Sequence, residues 1–87
     1  MRLIEHTSAF KRDFKRHGEL DGALIEVLWK LANDESLAER FRDHALTGNW
    51  KDHRDCHIKP DLVLIYRKPD THTLQLVRMG SHSELGI

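Results

Sequence analysis

The sequence predicts an α+β fold in which a β-α-α segment precedes a three-stranded antiparallel meander, within a single domain spanning residues 1–87. A chain of 87 residues has room for one hydrophobic core. Its N-terminal half carries apolar residues at helical spacing, whereas short apolar runs separated by two proline turns follow Trp50. Hydrophobic residues make up 39% and charged residues 32%, a composition typical of a globular protein.

The first predicted elements are a strand over residues 2–6 and a helix directly after it. Thr7 or Ser8 supplies the side-chain oxygen that caps such a helix. Two phenylalanines four residues apart would form the inner face of this helix, Phe10 and Phe14.

A second helix is predicted from about Leu20 to Asn33, separated from the first by Gly18, which is suited to end a helix. Residues 34–50 have a weaker pattern, consisting of a helical turn near Phe41 and a loop at residues 47–49. The apolar stripe of the second helix consists of Leu20, Leu24, Val27, Leu28 and Leu31.

The meander is predicted from three strands and two tight turns that contain proline. The middle strand is almost entirely apolar, which fits a central position covered on both faces. The strands are residues 53–58, 62–67 and 73–79, and the turns are residues 59–61 and 68–70.

Composition also bears on the compartment and on the partners. The longest apolar run, residues 62–66, is far shorter than the roughly 20 residues of a membrane helix. Cys56 is the only cysteine, so no internal disulfide forms, and we expect a cytoplasmic protein without membrane contact. The 14 basic and 14 acidic residues cancel, which argues mildly against a nucleic-acid binder.

Histidine is unusually frequent, with seven residues in 87. Its ordinary pKa of about 6.5 suits proton transfer near neutrality, although metal binding or a pH switch would also fit. His57 and Asp61 lie on either side of a predicted turn, and His82 follows the last strand. Whether His82 reaches the sheet end that holds His57 depends on strand order, which the sequence leaves open. Metal binding is not expected, because His53 and His57 would lie about 13 Å apart on a strand.

Three segments together resemble a known family. They are residues 43–50 (DHALTGNW), residues 54–66 (RDCHIKPDLVLIY) and residues 77–85 (VRMGSHSEL). The order and spacing are similar to the patterns D-H-x-L-x-G-x-W, R-D-x-H-x-x-P-D-x-x-L-I-Y and R-x-G-[ST]-H-x-x-L of YafQ-like toxins in the RelE superfamily. The match covers about half of the chain.

This resemblance implies a compact RelE-like domain and a ribosome-dependent endoribonuclease toxin that cleaves mRNA in the ribosomal A site. It implies metal-free acid–base catalysis with attack by the 2′-hydroxyl and no cofactor. A cognate antitoxin protein would neutralise the toxin, and operator DNA would be bound only through the antitoxin complex. The family's catalytic positions fall on His44, His57, Asp61 and His82.

The assignment of roles within this group stays open. His57 or Asp61 would be the base and His82 the acid, with assistance from His44. Positive charge at the phosphate would come from Arg78, or from Arg54, although Arg54 shares the strand face opposite His57.

One departure and one alternative accompany the resemblance. The family has an aromatic residue just after its last segment, whereas this chain has Gly86 followed by Ile87. The alternative function is a catalytically silent RelE/ParE-fold binding module that acts through a protein partner, the antitoxin or gyrase. A small metal-binding protein is a third and weaker interpretation.

Overall fold

The structure is a computed structural model that describes residues 1–17 and 20–87. Within these residues the chain forms five strands, three α-helices and two 3-10 helices. The 3-10 helices are Glu39–Phe41 and Gly48–Trp50, on either side of the shortest strand. In chain order the other elements are β1 (Leu3–His6), α1 (Ser8–His17), α2 (Gly22–Ala32), β2 (His44–Ala45), β3 (Arg54–Lys59), β4 (Leu62–Arg67), β5 (Thr73–Gly80) and α3 (His82–Leu85).

The strands form one mixed sheet in the order β1-β5-β4-β3-β2. The three longest strands, β3, β4 and β5, are antiparallel neighbours, which confirms the predicted meander. Strand β1 runs parallel to β5 at one edge of the sheet. Strand β2 pairs antiparallel with β3 at the opposite edge. It was not predicted, because two residues are too few to show an alternating pattern.

The start of α1 confirms one of the two predicted caps. Thr7 Oγ1 accepts a hydrogen bond of 2.9 Å from the backbone N–H of Phe10, so Thr7 rather than Ser8 is the cap. The predicted stop of this helix, Gly18, lies outside the described residues.

The start of α2 lies two residues later than predicted. Asp21 Oδ1 accepts a hydrogen bond of 3.0 Å from the backbone N–H of Leu24, so the helix begins at Gly22. Leu20 therefore precedes the helix and is 61% exposed, and its place in the predicted apolar stripe was wrong. The stripe is otherwise confirmed, since Leu24, Val27 and Leu31 are buried and Leu28 packs against the core.

The two faces of the sheet are covered unequally. The main core lies between the sheet and the helices α1 and α2, and it contains Cys56, whose thiol pKa burial raises. On the other face, only a small cluster is buried, consisting of Val63, Ile65 and Leu85. This second face is therefore partly open, and it is where the predicted catalytic histidines lie.

Among the described residues, no helix has the length and apolar character needed to cross a bilayer.

The burial of the central strand, β4, predicts that equivalent substitutions at a buried and an exposed leucine will differ strongly in their effect on stability. Leu64 on β4 is completely buried, so Leu64→Ala should lower the free energy of unfolding by about 2–5 kcal/mol. The same substitution at Leu3, which is 67% exposed, should change it by no more than about 0.5 kcal/mol. Urea denaturation of both variants measures the difference, and equal midpoints would contradict this core.

Candidate active site

Strand pairing brings the chemistry-bearing residues to one end of the open sheet face. His44 on β2 lies opposite Asp55 on β3. Asp55 and His57 share a face of β3, because side chains alternate along a strand. His57 pairs with Val63 on β4, which in turn pairs with Gly80 on β5. The end of β5 therefore lies in the same cross-sheet row as His57.

Helix α3 then turns the chain back over the sheet. Ser81 caps it in a reciprocal capping box with Glu84, which fixes His82 at its first position. The helix approaches β5 closely, since a β carbon at Gly80 would lie 3.1 Å from Glu84 Oε1 and would push this side chain aside. His82 therefore lies at the sheet end that holds His57, which answers the question that strand order left open.

The three imidazoles from separate segments lie together. The ring centroids of His57 and His82 are 4.8 Å apart, with an interplanar angle of 75°. The centroids of His44 and His57 are 6.4 Å apart. His57 is the central ring of this group, which we call the histidine cluster (His44, His57 and His82).

Asp61 orients the ring of His82. Its Oδ1 accepts hydrogen bonds from the backbone N–H of His82, at 3.0 Å, and from His82 Nδ1, at 2.7 Å. These two hydrogen bonds lower the pKa of Asp61, the backbone bond having the larger effect. An ionised carboxylate can only accept, so the Nδ1 of His82 carries a proton and its Nε2 is left for other chemistry.

The ring of His44 is oriented in the same way. Its Nδ1 lies 2.7 Å from the carbonyl oxygen of Arg42 and 3.0 Å from Asp55 Oδ1. Both neighbours are acceptors, so this Nδ1 also carries the proton. The N–H points to the carbonyl, and Asp55 Oδ1 has no hydrogen bond of good geometry among the described residues.

Asp55 is the residue that the sequence reasoning missed. It is 2% exposed, and burial raises the pKa of its carboxyl group, while the positive charge of His44, His57 and His82 acts to lower it. A carboxylate buried beneath imidazoles is a recurrent feature of functional sites. The alternation of Asp55 with His57, which places both on one face of a strand, was the sequence signal that could have pointed to it.

The environment of His57 keeps its imidazole neutral near pH 7. Partial burial is the main cause of its lowered pKa, which Asp55 opposes. The neighbouring positive charges of His82, Arg42 and His44 lower the pKa further.

Both predicted arginines are held by carboxylates. Arg78 binds Asp13 of α1 in two-pronged fashion, with Nε–Oδ2 2.7 Å and Nη2–Oδ1 3.2 Å. Asp13 is only 5% exposed and also accepts from the backbone N–H of Met79. Burial alone would raise the pKa of Asp13, but these hydrogen bonds from Arg78 and Met79 hold it below its ordinary value.

Arg54 lies on the helix-side face, away from His57, as the strand alternation predicted. It pairs across the strands with Tyr66, and its Nε lies 3.3 Å from Asp43 Oδ1. Asp43 Oδ1 also accepts a hydrogen bond of 2.5 Å from the hydroxyl of Tyr66. The partner of Arg54 is therefore Asp43.

The other histidines lie outside the histidine cluster. His6 and His72 are exposed on the surface. His17 is partly buried, and His53 packs edge-on against Trp50 with ring centroids 5.4 Å apart.

The arrangement is that of a small α+β domain with histidines and carboxylates gathered on an open sheet face, and several known proteins are similar to the chain in sequence and fold. The mRNA interferase toxin YafQ of Escherichia coli K12 is 33% identical over 88 residues, covering 97% of this chain and 95% of the relative. A copper-bound mutant toxin from Helicobacter pylori is 44% identical, with a TM-score of 0.91 and coverage of 98% and 99% of the two chains. YafQ in the E. coli DinJ–YafQ complex is 30% identical, with a TM-score of 0.81 and 98% coverage of both chains.

A family model described as the bacterial toxin of type II toxin–antitoxin systems, YafQ, matches residues 2–86. The chain belongs to the YafQ family of type II toxins. The resemblance seen in the three sequence segments is thereby confirmed.

The copper in the H. pylori structure raises the question of whether this chain offers a metal site. Across residues 1–17 and 20–87, no group of three or more His, Cys, Asp or Glu side chains is arranged to hold a metal ion. Asp61 is turned toward His82 Nδ1, which carries a proton and so is not free to bind a metal.

The Asp61–His82 contact predicts a measurable pKa change. His82→Ala removes the side-chain hydrogen bond and leaves the backbone bond, so the pKa of Asp61 should rise partway toward its ordinary value. Carbon-13 NMR titration of the carboxyl group measures this rise. His53→Ala, outside the cluster, should leave it unchanged, and an unchanged Asp61 pKa in His82→Ala would disprove the contact.

Proposed function

We propose that this chain is an endoribonuclease toxin that cleaves ribosome-bound mRNA in the A site by metal-free acid–base catalysis. The observation that carries the proposal is the histidine cluster, in which His57 is kept neutral while Asp61 orients the adjacent His82. Membership of the YafQ family supports it, since the E. coli relatives are mRNA interferases.

In the proposed reaction, His57 accepts the proton of a ribose 2′-hydroxyl as its oxygen attacks the adjacent phosphorus. The new O2′–P bond forms while the P–O5′ bond breaks, and His82 gives a proton to the departing 5′-oxygen. Asp61 is a poor base, because its pKa is lowered and His82 occupies its Oδ1. It serves instead to orient His82, and His44 assists from the other side of His57.

Arg78 is the better candidate for stabilising the charged phosphate. The hydrogen bond with Asp13 raises its pKa, so the guanidinium stays charged, and the two-pronged contact uses two of its five N–H donors. Arg54 is directed toward Asp43 and Tyr66 and is better suited to holding the segment before His44.

The charge distribution also supports RNA as the substrate, although the total charge cancels. Helix α1 has four exposed basic residues, and its one acidic residue, Asp13, is buried against Arg78. Clustered cations of this kind attract phosphate backbones. They are Lys11, Arg12, Lys15 and Arg16.

We further propose a cognate antitoxin protein as the partner, with operator DNA reached only through the toxin–antitoxin complex and with activity in the cytoplasm. The crystal structure of the E. coli DinJ–YafQ complex supports an antitoxin partner for this family.

Replacement of the proposed acid tests the nuclease directly. His82→Ala should reduce cleavage of ribosome-bound message by at least about a hundredfold and should abolish growth arrest. His72→Ala, an exposed turn residue, should behave as the wild type. Primer extension on translating message measures cleavage. Retained growth arrest by folded His82→Ala would favour a binding module acting through a protein partner.

The pH profile tests the role of His57. A base must be neutral, so the cleavage rate should fall as the pH drops through the lowered pKa of His57, below 6.5. The charge of Asp55 raises that pKa, so Asp55→Asn should move the acidic limb to lower pH. Asp52→Asn, an exposed control, should leave the limb in place. A shift to higher pH in Asp55→Asn would contradict this assignment.

A further inference from the structure

A cleft of about 470 Å³ lies on the open side of the sheet. One wall is the segment after β2, and the other is the end of α3 with the two residues that follow it. Its lining consists of Leu46, Thr47, Gly48, Asn49, Trp50, Leu85, Gly86 and Ile87.

Both walls are continuous with residues of the candidate active site. Leu46 follows His44 by two residues in the segment still paired with β3, a separation of roughly 7 Å along a strand. Leu85 lies one helical turn beyond His82. An RNA whose scissile phosphate lies at the histidine cluster could therefore place the adjacent nucleotide in the cleft.

The floor of the cleft is apolar and held in place. Trp50 packs with Leu46 against the buried cluster of the open face, and its Nε1–H donates a hydrogen bond of 3.3 Å to the carbonyl oxygen of Leu85. A fixed indole ring beside aliphatic side chains is a suitable surface for a flat aromatic ring.

The rim is polar and open. Thr47 and Asn49 are exposed there, and an amide side chain can donate to and accept from the edge of a base. Apart from its neighbours in the chain, no described residue comes within 4 Å of the place where a β carbon of Gly86 would be. The side of the cleft at Gly86 is therefore open.

We propose that this cleft binds one nucleobase next to the scissile phosphate, with its ring against Trp50 and its edge read by the Asn49 amide. The volume of the cleft lies within the range of small-ligand sites. A nucleobase has a flat ring that suits the apolar floor and a polar edge that suits the polar rim. This assignment rests on the proposed action on RNA and adds a determinant of sequence preference.

A binding experiment tests the cleft without requiring cleavage. Trp29→Phe removes the exposed tryptophan on α2 and leaves Trp50 as the only one. Trinucleotides with 2′-O-methyl riboses, which cannot be cut, should then quench Trp50 fluorescence saturably. Matched trinucleotides without bases should not. Equal quenching by both probes, or none by either, would overturn the proposal. Quenching in a chain that cuts no message would disprove the nuclease and leave the base site standing.

A map of the cleavage positions tests whether the Asn49 amide recognises the bound base. Asn49→Ala should change the base preference at one fixed offset from the cut, while total cleavage falls less than about tenfold. The same substitution at Asn33, the residue after α2, should leave the preference unchanged. A purely structural role for Asn49 would lower cutting evenly at all sites, and that result would overturn its assignment.

Discussion

The candidate site depends on one buried carboxylate, that of Asp55, beneath three imidazoles. Removing a carboxylate from water is costly, and only nearby positive charge or hydrogen bonds offset that cost. Burial dominates and raises the pKa of Asp55, while positive charge on the imidazoles of His44, His57 and His82 acts in the opposite direction. The charge of Asp55 in turn raises the pKa of His57. The buried carboxylate on β3 therefore influences the protonation of the proposed base on the open face.

The unequal covering of the sheet explains how so small a chain exposes a preorganised site. Helices α1 and α2 supply the main core on one face, so the other face needs only the small cluster of Val63, Ile65 and Leu85. That cluster also supports α3, which carries His82, and the segment that carries Trp50. Strands and a capped helix hold the imidazoles more firmly than loops could, which favours catalysis that needs fixed geometry.

The sequence predicted the meander, both long helices and the four proposed catalytic positions, because these leave strong periodic or motif signals. It could not place His82 beside His57, since that depends on strand order. It missed β2, which is held by pairing with β3 rather than by its own two residues. It also missed Asp55, because alternation along the strand places Asp55 on the same face as His57 but does not show that its carboxyl group is buried. The ion pair between Arg78 and Asp13 spans 65 positions, a contact that only the folded chain reveals.

The chemical ends of the cut RNA test the central claim most directly. If imidazoles shuttle protons around a 2′-hydroxyl attack, mass spectrometry of message cut by the purified toxin on ribosomes should find 2′,3′-cyclic phosphate and 5′-hydroxyl ends. Fragments carrying 3′-hydroxyl and 5′-phosphate ends would mean that water, not the ribose, attacks the phosphorus. The account of His57 and His82 as base and acid would then be wrong.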